Sequence, residues 1–377
     1  MKQLRVGGAI AGILLALVMS GVSVRGADEE EFKPLKIGSE APPFRLLGVD
    51  GKMYSLQDFS ESPILVVFFT CNHCPTAQAY EDRILALVKE YCQKGVAFVG
   101  VSSTDNKALR LNEMGYTDLG DTFEECKIRA KDRMFNFPYL YDGEKQEAAR
   151  LYGPHATPHF FIFDKERKLR YEGAVDDSEK PLGVRESFVR NALDALLAGQ
   201  AVPRESTPAI GCSIKWASKR PEVEAYMKAL AEEPVTLEDV GADGVRDLMR
   251  NDSTKLRLIT VWTCWTSPSP KELEELIRTH RMYRERGVEV VTLNADPANN
   301  RETALKVLKG QQASCRNLYF SGERQDLVGA IQRKWKGTFP YSILIQPGGK
   351  VVYEKQGPND PLQLRRVIVG ILGRIYP

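Results

Sequence analysis

The alternation of apolar and polar positions predicts an α/β segment in the first half of the chain. An alternating stretch around Asp50-Gly51 is typical of a β-hairpin. Residues 64–69 form an unbroken β-branched and aromatic run, the pattern of a strand buried on both faces. Apolar residues then recur at helical spacing over 77–91. The other elements predicted here are strands over 96–101, 160–164 and 169–173 and helices over 123–135 and 176–198.

The same pattern returns further along the chain. A strand over 256–262, an amphipathic helix over 271–283 and a strand over 288–293 are followed by a hairpin of 341–346 with 351–354. Pro203, Pro208 and Gly211 mark a break between the two rounds. We therefore predict an α/β fold with one domain over 35–200, a linker or wrapping segment over 201–235 and a second domain over 236–377.

Length and composition agree with two soluble domains. The 377 residues are 43% hydrophobic and 27% charged, which excludes a disordered chain or a small disulfide scaffold. The 52 Lys+Arg nearly balance the 50 Asp+Glu, so composition gives no support to nucleic-acid binding.

The first 26 residues have the order of a secretory signal. Lys2 and Arg5 precede a largely apolar run over 6–24, and small residues follow near Gly26. The alternative is an uncleaved membrane anchor, but the strongly apolar core is shorter than a spanning helix needs. Removing residues 1–26 takes away three positive charges and changes the formal net charge from +2 to −1. We predict cleavage and a periplasmic or otherwise extracytoplasmic location, where disulfides persist.

Cys71-Asn72-His73-Cys74 lies where the buried strand becomes a helix. At this position the first-turn amides and the helix dipole favour a thiolate on the leading cysteine. Such a pair exchanges two electrons through a mixed disulfide, with Cys71 as nucleophile and Cys74 as resolving thiol. A zinc site would want a second C-x-x-C or a paired histidine motif, neither of which this sequence has. An inert structural disulfide is the other alternative.

His73 directly precedes Cys74. An imidazolium or an N–H donor at this position would stabilise the Cys71 thiolate and raise the reduction potential. We therefore predict a pair more oxidising than that of thioredoxin, whose potential is about −270 mV. The alternative is a solvent-exposed histidine without effect on the pair.

Three motifs over residues 35–200 resemble the thioredoxin superfamily, specifically its redoxin or AhpC/TSA-type, peroxiredoxin-like branch with a TlpA-like character. They are the GSEAPPF…DGK…SLQDF opening, the strand-to-CNHCP junction, and Thr157-Pro158 before the closing hairpin. The resemblance implies a three-layer thioredoxin fold and a thiol–disulfide oxidoreductase that acts on protein thiols without a cofactor or a metal. It also implies that the Thr157-Pro158 bond is cis and that both residues pair with substrate backbone beside Cys71. Thioredoxins carry a buried acid beneath the motif, whereas the strand here shows only apolar residues.

Two other functions remain open at this stage. In the peroxiredoxin motif a proline and a threonine precede the reactive cysteine, but those positions hold Ile64 and Phe68. A thiol-dependent peroxidase is thus the weaker enzymatic alternative. The non-enzymatic alternative is a protein-binding or copper-binding module, in which His155 or His159 would join the two cysteines around copper(I).

The cysteine count is seven, so at least one thiol is unpaired or pairs transiently. Cys92 and Cys126 are interpreted as helix-packing thiols, and Cys315 as a buried one. Cys212 lies in Gly-Cys-Ser-Ile-Lys-Trp, which resembles a motif that trails this redoxin branch. It is either a buried anchor or a third thiol that reaches the dithiol as a relay.

The second domain resembles the same fold without its chemistry. One alignment makes Cys264 a monothiol; the other places Trp262 and Trp265 on a TlpA-like tryptophan pair and Thr266 and Ser269 where both cysteines belong. We prefer the second alignment, and hydroxyls are not ionised at neutral pH and cannot carry the exchange. The loop over 337–341 resembles the family's cis-proline region. Residues 236–377 are predicted to hold or orient a protein substrate, to mediate dimerisation, or simply to pack against the first domain.

Overall fold

The computed structural model describes residues 32–265, 270–331 and 335–376. The predicted signal peptide lies outside the described residues. The strands are β1 Arg45–Gly48, β2 Met53–Ser55, β3 Ile64–Thr70, β4 Val96–Ser102, β5 Tyr139–Tyr141, β6 Ala156–Thr157, β7 His159–Phe163, β8 Leu169–Gly173, β9 Cys212–Ser213, β10 Glu238–Val240, β11 Leu256–Trp262, β12 Val288–Asn294, β13 Arg316–Phe320, β14 Tyr341–Ile345 and β15 Val351–Gln356. The helices are α1 Pro75–Tyr91, α2 Phe123–Asp132, α3 Glu147–Tyr152, α4 Phe188–Leu197, α5 Arg220–Ala231, α6 Ala242–Arg250, α7 Pro270–Tyr283, α8 Arg301–Gly310, α9 Arg324–Ile331 and α10 Pro361–Leu372.

The N-terminal half, residues 32–200, is built on a seven-stranded mixed sheet of order β2-β1-β5-β4-β3-β7-β8. Strand β3 runs parallel to β4 and antiparallel to β7, and all seven of its residues are buried. Apolar side chains of α1 and α4 pack on one face of β3, and those of α3 pack on the other. The continuous apolar run of β3 is therefore explained by helices on both faces.

The C-terminal half, residues 236–376, is built on a six-stranded sheet of order β10-β13-β12-β11-β14-β15. Its central strand β11 runs parallel to β12 and antiparallel to β14, which is the arrangement of β3, β4 and β7. Helices α7 and α10 pack on one face of β11, and α6 and α9 pack on the other. The prediction of a mixed α/β fold is confirmed.

One predicted helix is largely wrong. The sequence pattern predicted a helix over 176–198, but α4 covers only Phe188–Leu197. Residues before α4 are held as a loop because Arg83 donates hydrogen bonds to the Asp176 carboxylate and to the carbonyl of Ser178. Pro181 begins a short 3-10 turn in this loop. The predicted linker over 201–235 contains a strand, β9, and a helix, α5.

A loop of the N-terminal half is packed into the C-terminal half. Leu109 and Met114 belong to the same buried cluster as residues of α7 and α10. The Tyr283 hydroxyl donates a hydrogen bond of 2.5 Å to the carbonyl of Thr117. Residues 32–376 therefore share part of their core. Across the described part of the chain, no helix combines the length and apolarity needed to span a membrane.

Candidate redox site

The two cysteines of the C-x-x-C motif lie at the carboxyl end of β3. Helix α1 begins at Pro75, so Cys74 is its N-cap residue and accepts a hydrogen bond of 3.4 Å from the Ala77 amide. Cys71 precedes the helix in the connecting turn. Both side chains are almost completely buried, with residue exposures of 3% and 0%. The strand-to-helix junction predicted from the sequence is confirmed.

The proline loop lies against both sulfur atoms. The peptide bond between Thr157 and Pro158 is cis, as the family resemblance implies. Cys71 Sγ lies 3.1 Å from Thr157 Oγ1, and Cys74 Sγ lies 3.3 Å from the Thr157 carbonyl oxygen. The structure thus brings together Cys71, Cys74, Thr157 and Pro158, which are distant in sequence.

Cys212 joins the same cluster. Strand β9 pairs antiparallel with β6, and Cys212 stands opposite Thr157. The Cys212 amide donates a hydrogen bond of 3.3 Å to Cys74 Sγ. Its side chain is partly buried against the small apolar cluster of Cys71, Cys74 and Ala77.

His73 is buried and ion-paired. Its Nδ1 lies 2.5 Å from Asp121 Oδ2, and both side chains are shielded from solvent. The Asn72 amide donates a hydrogen bond to the other carboxylate oxygen of Asp121. Burial lowers the pKa of His73, but the charge and hydrogen bond of Asp121 outweigh it and the pKa is raised. The interpretation of His73 as an exposed bystander is therefore wrong.

Asp121 is a residue of the candidate site that sequence reasoning missed. No acid lies in the apolar strand β3, and this buried carboxylate reaches the motif from a loop 48 residues away. Asp121 directly precedes Thr122, whose side chain caps α2 and forms a capping box with Glu125. The capping box signals where the loop ends, but only the fold shows that its acid faces His73.

The charge of the reduced pair falls on Cys74. Burial raises the pKa of Cys74, but hydrogen bonds from Cys212 and Cys71, the charge of His73 and the Ala77 amide lower it well below its usual value. Burial, the hydrogen bond to Cys74 and the nearby charge of Asp121 raise the pKa of Cys71. From the sequence alone, the first-turn amides of the helix are expected to favour a thiolate on Cys71. This is corrected because the helix starts after Cys74, so the amide points to that sulfur.

The copper site considered from the sequence does not assemble. His159 Nε2 lies 2.8 Å from Glu172, and His159 Nδ1 accepts a hydrogen bond from the His155 amide. The His155 side chain itself is exposed. Among the described residues, the ligand atoms that come within 4.8 Å of one another instead belong to Cys71, His73 and Asp121. In that group His73 and Asp121 already form an ion pair with each other.

The corresponding region of the C-terminal half lacks a thiol pair among its described residues. The Phe339–Pro340 bond is cis and adjoins a cleft of about 1000 Å³ lined by Trp265, Asp296 and Arg324. Burial and Asp296 raise the pKa of Cys264 to about 12, so this thiol stays protonated. Thr266 and Ser269 lie outside the described residues.

Comparisons with known proteins place the N-terminal half in a family. The model of the AhpC/TSA family matches residues 37–172. A thiol-disulfide oxidoreductase ResA of Bacillus cereus is 24% identical over 176 residues, which are 45% of this chain and 90% of the relative. The N-terminal half is a redoxin domain of the thioredoxin superfamily. A ResA of Bacillus anthracis is 30% identical over 122 residues, 32% of this chain and 62% of the relative.

Solved structures also resemble the redoxin. An uncharacterised conserved protein of Geobacillus kaustophilus is 40% identical, with a TM-score of 0.43, and the match covers 48% of this chain and 92% of that one. A hypothetical protein of Sinorhizobium meliloti is 33% identical, with a TM-score of 0.44, and the match covers 49% of this chain and 96% of that one.

Three further cysteines are outside the small cluster that Cys71, Cys74 and Ala77 form with Cys212. Cys126 and Cys315 are buried as predicted, and burial raises the pKa of each to about 12. Cys92 was interpreted as a packing thiol but is exposed, because α1 ends before it in a surface turn.

Proposed function

We propose that this redoxin is a thiol–disulfide oxidoreductase that exchanges a dithiol or disulfide with protein thiols through Cys71 and Cys74. The observation that carries the proposal is the packing of both sulfur atoms against the cis-proline loop, within 3.3 Å of Thr157 atoms. Two cysteines separated by two residues at the start of a helix are an arrangement that favours thiol–disulfide exchange.

The exchange balances without a cofactor. A thiolate of the reduced pair attacks a substrate disulfide, a mixed disulfide forms, and one substrate sulfur leaves with the electron pair and takes a proton. The second thiol of the pair then attacks the mixed disulfide. The pair ends as a Cys71–Cys74 disulfide and the substrate as two thiols; oxidation of a substrate is the reverse sequence.

The surrounding residues serve this exchange in defined ways. Thr157 ends the short strand β6 beside the sulfur atoms, and β9 is paired with β6 in this structure. A protein substrate that displaced β9 would pair with the same backbone groups. His73 and Asp121 are positioning residues, because a protonated imidazole beside Cys74 favours its thiolate. The unbonded Nε2 of His73 is buried, without a hydrogen-bond partner among the described residues.

We further propose export and a tandem arrangement. The signal-like residues 1–26 would direct the chain to an extracytoplasmic compartment. The shared central strand order of the two sheets supports two thioredoxin-like units, the second of them degenerate. The cleft beside Pro340 would help to hold a protein substrate.

The function is tested on the full-length protein with a folded protein disulfide as substrate. We expect the wild type to exchange with it and to form an intramolecular Cys71–Cys74 disulfide, and we expect Cys71→Ser and Cys74→Ser to exchange at background rates. Cys92→Ser is the matched control, since it removes an exposed thiol of the same half. Consumption of peroxide without exchange with the protein disulfide would instead assign the peroxidase function and overturn the proposal.

A further inference from the structure

A segment of the chain occupies the free edge of the proline loop. Strand β9 pairs with β6 so that Cys212 faces Thr157 and Ser213 faces Ala156. The Thr157 hydroxyl also donates a hydrogen bond of 3.5 Å to the Cys212 carbonyl. This is the position in which the strand β6 would pair with the backbone of an external substrate.

The approach of β9 to β6 depends on a glycine. A Cβ built on Gly211 would collide with the carbonyl oxygen of Thr157. Gly211 also has φ +151°, a conformation that side-chain-bearing residues rarely adopt. Because Gly211 has no side chain, the backbone of β9 can contact the backbone of β6.

Both ends of this segment are fastened to the N-terminal half. Upstream, the buried Thr207 hydroxyl forms a hydrogen bond with the Tyr171 hydroxyl and accepts one from the Ala174 amide. Downstream, the Lys215 carbonyl accepts hydrogen bonds from the Asp105 amide and the Gln146 side chain. Because the strand is anchored on both sides, Cys212 is held beside the pair rather than reaching it by chance.

From this geometry we infer that Cys212 is a third redox-active thiol, which exchanges the disulfide of the pair through Cys74. The inference rests on the proposed function, since in the wild-type protein the Cys71–Cys74 disulfide forms first. Cys74 is the residue that both other cysteines can pair with. Its sulfur accepts a hydrogen bond from the Cys212 amide, and it lies in the same buried cluster as Cys71.

The step conserves electrons. The Cys212 sulfur loses its proton and attacks Cys74 of the Cys71–Cys74 disulfide. A Cys74–Cys212 bond forms, the Cys71–Cys74 bond breaks, and the electron pair stays on Cys71, which takes a proton. In the reduced protein the hydrogen bond to Cys74, burial and the charge of Cys74 raise the pKa of Cys212. The Cys74 contributions vanish once Cys74 is in a disulfide, so the oxidised pair favours the Cys212 thiolate more than the reduced pair does.

Disulfide mapping distinguishes the two pairings directly. Trypsin leaves Cys71 and Cys74 together on peptide 53–83 and leaves Cys212 on peptide 205–215. The full-length protein is equilibrated in glutathione buffers, quenched in acid to stop exchange, alkylated, digested and analysed by mass spectrometry. A Cys71–Cys74 disulfide stays within one peptide, whereas a Cys74–Cys212 disulfide joins two.

We expect the wild type to yield both forms. Cys71→Ser should accumulate the joined peptides, because oxidised glutathione forms a mixed disulfide with Cys74, Cys212 displaces that glutathione, and no Cys71 thiol can take the disulfide back. Cys212→Ser should keep only the form within peptide 53–83, and Cys92→Ser should match the wild type. Absence of joined peptides from the wild type, together with glutathione bound to Cys74 alone in Cys71→Ser, would overturn the inference. If the Cys71–Cys74 disulfide and exchange with a protein disulfide persist in that case, the proposed function stands without it.

Discussion

At the residue scale, the site combines a predicted histidine with a carboxylate that the sequence did not reveal. His73 follows from its place in the motif, while Asp121 approaches from another loop and is buried with it. The pair matters because Asp121 raises the pKa of His73, and the charge of His73 lowers the pKa of Cys74. Stabilising the reduced pair in this way raises its reduction potential.

We predict that Asp121→Asn raises the pKa of Cys74 and lowers the reduction potential. Without the carboxylate the pKa of His73 falls, so less of the imidazole is protonated at neutral pH and the positive charge beside Cys74 is reduced. The potential should fall by about 30 mV for each pKa unit gained by Cys74. The pKa is measured from thiolate ultraviolet absorbance against pH, relative to a Cys74→Ser background, and the potential from equilibration with glutathione.

Asp142→Asn is the control for this prediction. Asp142 is also buried in the N-terminal half, but its carboxylate accepts hydrogen bonds from the Ala148 and Ala149 amides. Equal shifts in both variants would mean that general destabilisation, and not the His73 pair, sets the thiolate pKa.

At the element scale, local patterns located the strands and helices nearest the motif, and they failed for short or irregular elements. The predicted bounds of strand β8, Leu169–Gly173, are those observed, because buried and less buried residues alternate along the strand and this alternation is visible in the local sequence. Strands β6 and β9 have two residues each. Two residues carry no periodicity, so their pairing is decided only when distant segments meet.

We predict that Gly211→Ala uncovers the thiol pair. The added Cβ cannot pass the Thr157 carbonyl oxygen, so β9 should move away from β6 and the alkylation rates of Cys71 and Cys74 in the reduced protein should rise several-fold. Alkylation is followed by mass spectrometry of peptide 53–83. Gly310→Ala is the control, because a Cβ at Gly310 meets open space; unchanged rates in Gly211→Ala would show that β9 does not cover the pair.

At the scale of the whole molecule, the C-terminal half holds the loop that carries Asp121. Asp118 is buried and ion-paired with Arg366 and Arg374 near the C-terminus. Arg286 donates a hydrogen bond of 3.0 Å to the Gly115 carbonyl, and its guanidinium lies 3.5 Å from the centre of the Tyr116 ring. The half without a described thiol pair therefore contributes to the site by packing.

We predict a coupling free energy of about 1–3 kcal/mol between Asp118 and Arg374, since the carboxylate is buried and hydrogen-bonded to charged groups. A double-mutant cycle with Asp118→Asn and Arg374→Gln measures it from free energies of unfolding. Burial raises the pKa of Asp118, but the hydrogen bond and charge of Arg374 outweigh burial and the pKa is lowered. This stabilisation is therefore complete above the unfolded pKa and is lost as pH falls through the lower folded pKa.

The exposed pair of Asp243 and Arg246 is the control for this cycle, with an expected coupling of about 0–0.5 kcal/mol. A coupling at Asp118 no larger than that of the exposed pair would show that the ion pair does not fasten the loop.

The sequence by itself determined the features that depend on neighbours along the chain. These are the buried strands, the helix that follows the cysteines, the motif Cys71-Asn72-His73-Cys74 and the proline loop, since each rests on local periodicity or on a short motif. The tertiary structure decided what faces the motif: Asp121 on His73, Cys212 on Cys74 and the C-terminal half on the intervening loop. Such contacts join residues that are far apart in sequence, and no local pattern records which of many buried polar groups will meet once the core has closed.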